Sequence, residues 1–293
     1  MLKKNLVRTG FLGHGLLVLL PNATALKGEP VAYLHEVRSQ GLLHRTGERT
    51  DSLIAPLPDS VSTFSNGRLA NALAAVPEIR LNRNAFQFVQ SFMRKEEEAL
   101  SHARARSRNY FRLIDTVFTQ YGLPVELKYL AVVESDLKTN AVSRVGARGM
   151  WQLMPTTARE LGLKVTRKYD ERTTVYKSTV AAAKYLRSLY AEFGDWLLVM
   201  AAYNAGPGTV CHAIHRSGSK NFWVLQRYLP MESRGHVKRF IGTHYYFEGK
   251  GSMATLTRAE TLAYNQKKES LNASLEKEKQ RTKTSMSDVA AIK

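Results

Sequence analysis

The chain has a single cysteine, Cys211, among 293 residues. No intrachain disulfide can form, and one cysteine with scattered histidines offers no zinc-ligand spacing. No metal and no cofactor are expected. Cys211 sits in the helical-looking stretch GTVCHAIHRSG and reads as a small buried side chain rather than a nucleophile. After the first twenty residues no apolar run approaches the ~18 residues needed to cross a bilayer, so the chain beyond that point is expected to be soluble. No stretch shows sustained alternation with hairpin turns, which argues against a β fold. No internal repeat is evident. Acidic residues are few beside basic ones: 25 Asp and Glu against 43 Lys and Arg, a net charge of +18 and a pI near 10.0. That imbalance favours an anionic partner, whether nucleic acid, a membrane surface or an acidic polymer.

What is present at the N-terminus narrows the choice. Lys3, Lys4 and Arg8 precede the apolar run Phe11 to Leu20, and Ala23-Thr24-Ala25 supplies a small-residue cleavage pattern. Residues 1–25 read as a secretory signal peptide, with the mature chain beginning near Leu26. The absence of a cysteine at that junction excludes lipid attachment there. Membrane association then follows only if the leader is retained as an anchor. Export, to the periplasm or the cell envelope, makes nucleic acid a poor partner and an envelope polymer a better one.

Residues 26–94 are Ser- and Pro-punctuated, as in SLIAPLPDSVSTFSNG, and read as an arm or linker. The segment VPEIRLNRNAFQFVQSFM is expected to be a short extended or packing segment, ahead of one long helix from about Phe92 to Tyr121. That helix shows Leu100, Tyr110, Leu113, Ile114, Val117 and Phe118 at helical spacing. Shorter helices follow at PVELKYLAVVES, TTARELG (with Thr157 and Glu160 as a capping box), STVAAAKYLRSLYAEFG and DWLLVMAAYNAGPG, the last N-capped by Asp195. Three more follow up to residue 250. The fold class is therefore mostly α, with a compact domain over residues 95–250. Residues 251–293 contain no Trp or Phe and read as a basic polar tail, either a solvated helix or disordered.

One carboxylate stands out. On PVELKYLAVVES, Leu127, Leu130 and Ala131 share a face, and Glu134 falls on it. A carboxyl held against apolar surface has its charged form desolvated, which favours the protonated acid that general acid catalysis needs. The plainer reading is that Glu134 turns to solvent or pairs with Arg144 or Arg148, and spacing alone leaves both open. The loop NAVSRVGARGMWQLMP follows, in which Gly146 and Gly149 allow close backbone approach to a ligand. Trp151 and Gln152 suit a sugar, as a ring for C–H faces and an amide for hydroxyls, though core packing accounts for Trp151 equally well. Tyr203 and Asn204 stand at a helix end before Gly206-Pro207-Gly208, where an ordinary C-cap is the simpler reading.

Glu134-Ser135, Gly149-Met150-Trp151-Gln152 and Ala202-Tyr203-Asn204-Ala205-Gly206, in that order, resemble the lytic transglycosylases with a lysozyme-like catalytic domain of the soluble type. The similarity spans about residues 105–245 and is closest in flavour to the membrane-bound lytic murein transglycosylase D group. Any one motif is weak, but three in order are specific. A fourth family motif, Glu-Thr-Arg-x-Tyr-Val, stands here as ESRGHV. Glu232 and Arg234 match, while His236 occupies the tyrosine position that lines the family's site near the catalytic Glu. A histidine still donates a hydrogen bond there, but its own protonation enters the pH profile.

The resemblance implies cleavage of the β-1,4 bond between N-acetylmuramic acid and N-acetylglucosamine in peptidoglycan, with a 1,6-anhydro product, in cell-wall remodelling. It implies that Glu134 is the catalytic residue and that Ser135 orients it. Gly149, Met150, Trp151, Gln152, Tyr203, Asn204, Arg234 and His236 would hold or orient the glycan. The partners implied are peptidoglycan strands and other cell-wall enzymes. Two rival readings stay open: a catalytically impaired wall-binding scaffold on the same fold, and a muramidase that uses water.

Overall fold

The computed structural model describes residues 78–291, with side chains described through residue 281. The leader and most of the expected arm lie outside the described residues. Among the described residues the protein is helical, with isolated β-bridges and no named strand, as the sequence predicts. No helix of the described residues is long and apolar enough to cross a membrane.

The expected long helix is three helices, and the first starts earlier than expected. Helix α1 runs Arg83–Lys95, α2 Glu97–Ser107 and α3 Phe111–Gln120. The stretch expected to be an extended or packing segment is mostly α1, because the Asn82 side chain accepts from the Asn84 N–H and starts the helix. Ala85 and Val89 bury one stripe of α1 against helix α10 (Met231–Glu248), and Phe92 extends it. Gly242 makes that approach possible: a Cβ there would stand 2.6 Å from the Phe92 ring. The direction of α1 is thus set by α10, and the chain must turn at Glu96 and again at 108–110 to bring α3 into the core.

A 3₁₀ turn, Val125–Lys128, leads into α4 (Tyr129–Ser135). Then come α5 (Pro155–Glu160), a 3₁₀ turn at Glu171–Thr173, α6 (Val175–Phe193) and α7 (Trp196–Ala205). Helix α5 begins with Pro155 at its first position and Met154 as cap, so Thr157 lies inside it and no capping box with Glu160 forms. Helix α7 is apolar on every side, from Trp196 to Ala202, because α6, α10 and helix α8 (Pro207–Ser217) pack around it. On α8 the buried face is Val210 and Ala213. Cys211 lies one residue, about 100°, around from Val210, and is exposed beside the Glu192 carboxylate rather than buried as expected.

Asp195 caps α7 as predicted: one carboxylate oxygen accepts from the Leu197 and Leu198 N–H groups at 2.9 and 3.2 Å. Its other oxygen accepts from the Arg258 N–H at 2.6 Å, so one side chain caps two helices. Arg258 begins α11 (Arg258–Ala291). The expected tail is therefore docked at its start. Ala254, Thr255 and Thr257 are buried, and Glu260 joins Thr257 to Asn82. Beyond that point, through residue 281, α11 is mostly exposed and polar, one of the two forms that the composition predicts. Short helix α9 (Phe222–Leu225) completes the order between α8 and α10.

His244 of α10 gives the fold a pH dependence. Its Nε2 meets the Ser252 hydroxyl at 2.8 Å while Nδ1 is buried without a partner. Burial pushes its pKa from 6.5 down to about 4. The folded state thus refuses a proton that the unfolded chain accepts. This contribution to stability is intact above pH 6.5 and is lost as the pH falls toward 4, by about 3 kcal/mol. Urea denaturation across this range is expected to show a steeper fall for the wild type than for His244→Gln. Parallel curves would refute the assignment.

Candidate active site

Glu134 leaves α4 on the same side as Leu127, Leu130 and Ala131, all fully buried, and its side chain is only 13% exposed. The helix stops abruptly one residue later. Asp136 and Leu137 both take positive φ, 52° and 63°, a conformation that costs a non-glycine residue about 1 kcal/mol or more. The turn is held in place by burial of the Leu137 side chain, by the Leu137 N–H donating to the Ala131 carbonyl at 3.2 Å, and by the Arg106 Nε–H donating to the Asp136 carbonyl at 2.8 Å. This fixed stop leaves Glu134 at the rim of the core.

Ser135 does not orient Glu134 directly. Its hydroxyl, which points into the core, donates to the Met150 carbonyl at 2.9 Å and lies 3.3 Å from the Ala131 carbonyl. It sews the end of α4 to the loop 141–153. Met150 and Trp151 are core residues. The Trp151 indole N–H donates to the Thr179 hydroxyl at 3.0 Å and its ring packs against Phe118. The face expected to carry a sugar is therefore covered. Gly149 makes its close approach to the protein's own chain rather than to a ligand: at φ +82°, an added Cβ would lie 2.0 Å from the Arg172 carbonyl oxygen.

Arg172, 6% exposed, is the peg of this loop. Its Nη1 donates to the carbonyls of Gly146 and Leu153 at 2.7 and 2.8 Å, and its remaining donors meet Asp170. The Arg172 hydrogen bond, with a second from Arg148, holds the Asp170 carboxyl down to about 2. Arg148 is therefore engaged with Asp170 at 3.2 Å, and Arg144 is exposed. Neither pairs with Glu134 as the simpler reading allowed.

The loop and the end of α7 close on each other through Tyr203, whose hydroxyl donates to the Trp151 carbonyl at 2.8 Å. Burial, and then the charge of Glu134, push the Tyr203 hydroxyl well above its ordinary range, so it stays a neutral donor. Tyr185 packs its ring 5.3 Å from that of Tyr203. Gln152, at φ +45°, donates through Nε2 to the Gly149 and Ala141 carbonyls at 2.8 and 3.3 Å. Both bonds engage the amide nitrogen and not its oxygen. Asn204 is half-buried in the last turn of α7.

His236 of α10 completes the site. Its Nε2 stands 2.9 Å from the Glu134 Oε1, and the ring is 2% exposed. Arg234 lies two residues earlier, half-buried, with its charge acting on Lys238. The structure thus brings Glu134, His236 and Tyr203 together and places Gln152 on the adjoining loop. It assigns Ser135, Gly149, Met150 and Trp151 to supporting that loop. The supporting Arg106, Asp170, Arg172, Thr179 and Tyr185 escape a reading by motif. Only Tyr185 carried a signal, its helical spacing with Ala182, Leu186 and Leu189. Among the described residues no group of three or more His, Cys, Asp or Glu side chains is placed to hold a metal.

Comparison with known proteins follows the same residues. Residues 117–226 match the family model of the transglycosylase SLT domain. Over 157 residues the chain is 38% identical to the membrane-bound lytic murein transglycosylase D of Escherichia coli strain K12, covering 52% of this chain and 34% of that protein. The protein of the same name from Escherichia coli O6:H1 gives the same figures. The solved 70 kDa soluble lytic transglycosylase of Escherichia coli aligns with 26% identity and a TM-score of 0.43, over 50% of this chain and 26% of that one. The chain spans about a third of the length of these two curated relatives. The matched segment contains Glu134, the loop through Gln152, Tyr203 and Asn204, and ends before His236; over these residues the chain is similar to the transglycosylase SLT domain.

Proposed function

We propose that this chain is an exported lytic transglycosylase of the cell envelope that cleaves peptidoglycan strands during wall remodelling. The observation that carries the reading is the company of Glu134. Its polar partner is His236, with Tyr203 close enough to feel its charge. Two acidic residues that flank the site are spoken for: Asp136 pairs with Lys138, and Asp170 with Arg172 and Arg148. Glycosidases that use water employ two carboxylates astride the bond. A single carboxyl suits a reaction in which one group acts twice.

Protonated Glu134 donates to the glycosidic oxygen as the bond to the muramic C1 breaks. The N-acetyl group of that sugar assists at C1. Glu134, now ionised, takes the proton of the muramic 6-hydroxyl, whose oxygen closes on C1. The proton returns to the carboxyl, no water enters, and the product is a 1,6-anhydro end. Gln152, Asn204 and Arg234 hold the glycan, and Tyr203 fixes the loop against α7. The net positive charge of +18 favours strands that bear acidic stem peptides.

Digestion of purified peptidoglycan in heavy-oxygen water tests this. Mass spectrometry is expected to find anhydro-muropeptides free of the label. Labelled reducing ends would identify a water-using muramidase instead. Binding without any released product would identify a wall-binding scaffold.

A further inference from the structure

We propose that the cleft between α3 and α6 is a second binding site, built for the carboxylates of an acidic peptide, and that it takes the stem peptides of the strand cleaved at Glu134. The source of the peptide rests on the peptidoglycan reading above; the carboxylate chemistry does not. The cleft encloses about 440 Å³, the size of ordinary small-ligand sites. Arg108, Arg112 and Gln120 form one wall over a floor of Leu113 and Val117. Tyr176, in the first turn of α6, forms the other. None of these residues belongs to the motifs that lead to Glu134.

Helical register builds the wall. Arg112, Thr116 and Gln120 are spaced four apart on α3 and share one stripe. Val117 turns inward and is buried, and its neighbour Phe118 packs on Trp151. Arg108 stands at the corner before α3, two residues after Arg106, whose Nε–H holds the Asp136 carbonyl at 2.8 Å. That carbonyl belongs to the turn that ends the helix of Glu134. On the other wall, Tyr176 follows four residues after Arg172, the peg of the loop that carries Gln152. Both walls thus continue from segments that fix the active site.

The charges in the cleft are uncommitted. Among the described residues no carboxylate pairs with Arg108 or Arg112, and neither guanidinium donates a hydrogen bond. The preceding arginines of α2 are engaged, Arg104 with the Tyr246 carbonyl and Arg106 with that of Asp136. Asp115 of α3 is met by Lys128 at 3.0 Å, and the Thr116 hydroxyl donates to the Arg112 carbonyl at 2.9 Å. Tyr176 is 56% exposed. A guanidinium presents a planar fork of donors that matches a carboxylate. Two forks on one wall, facing an aromatic ring, suit an extended peptide that bears more than one carboxylate. A neutral sugar has no charge to meet them, and the flat face of a bilayer does not enter a concave cleft.

NMR titration of the full chain with the acidic stem peptide released from peptidoglycan, and with the same peptide after amidation of its carboxyls, tests the site. The Arg108 and Arg112 Nε–H signals are expected to shift and saturate with the acid form only. The double variant Arg108→Ser, Arg112→Ser is expected to bind the peptide about tenfold more weakly. Lys267→Ser with Lys268→Ser removes the same two charges from the exposed face of α11 and should leave binding unchanged. Equal losses in the two double variants would reduce the effect to net charge and overturn the site, as would equal binding of the acid and amidated peptides. Arginine-dependent binding to phosphatidylglycerol vesicles, with no response to the peptide, would also overturn it. In digests, the arginine variant is expected to lose the wild-type preference for strands that carry peptides over strands stripped of them. A preference retained would break the link to the cleaved strand. An absence of anhydro products from the wild type would instead remove the transglycosylase reading and leave the peptide titration standing.

Discussion

Glu134→Gln is expected to lower the release of anhydro-muropeptides by about 10³-fold or more, the scale of losing a positioned general acid and base. Glutamine matches the shape of the carboxyl, and its amide can keep a hydrogen bond to the His236 Nε2, as acceptor or donor according to the ring tautomer. What it cannot do is give a proton to the glycosidic oxygen or take one from the 6-hydroxyl. The variant should therefore fold, melt near the wild-type temperature and still bind sacculi. Product release equal to wild type, measured by chromatography of the soluble fraction, would remove Glu134 from the chemistry. The substitution separates catalysis from architecture because Glu134 stands at the rim of the core, while the buried Leu127, Leu130 and Ala131 hold the helix.

The second large effect is structural. Gly149→Ala is expected to destabilise the protein by about 4 kcal/mol, at the severe end for a single substitution. The new methyl would stand 2.0 Å from the Arg172 carbonyl oxygen and 2.8 Å from its carbon. Neither is the end of a flexible side chain, so the backbone at Arg172 has to move. Movement there breaks the bonds from its guanidinium to Gly146, Leu153 and Asp170. The loop that carries Gln152 would then lose its peg. Gly146→Ala is the control, since Gly146 also has a positive φ, +87°, but open space around its absent Cβ. It should cost only about 1 kcal/mol, the backbone term alone. Equal urea midpoints for the two variants would contradict the contact.

Local signals in the sequence are reliable where short-range chemistry decides the outcome. Asp195 caps α7 as its position predicts, and Glu134 lies on the buried face of its helix as its spacing predicts. The motifs also point to two segments that the fold brings together, the loop through Gln152 and the end of α7, joined by the Tyr203 hydroxyl and the Trp151 carbonyl. Signals fail where a partner distant in sequence decides. Trp151 has the composition of a sugar platform, but Phe118 and Thr179 bury it. Cys211 looks internal by composition and faces outward, because α7 covers the other side of α8. EEEALSHARARS reads as part of one long helix, yet packing of α1 on α10 forces turns on either side of it.

The sequence by itself determined the helical class and the cap of α7 and singled out Glu134 as a candidate, because helical periodicity, caps and motif order act within a few residues or in chain order. Only the tertiary structure decided what Glu134 touches. Its partner His236 is 102 residues away, and the peg of the neighbouring loop, Arg172, is joined to Gly146 and Leu153 by no spacing rule. Contacts of that kind depend on how α4, α7 and α10 cross, and crossing is set by the packing of whole buried faces rather than by the residues that meet.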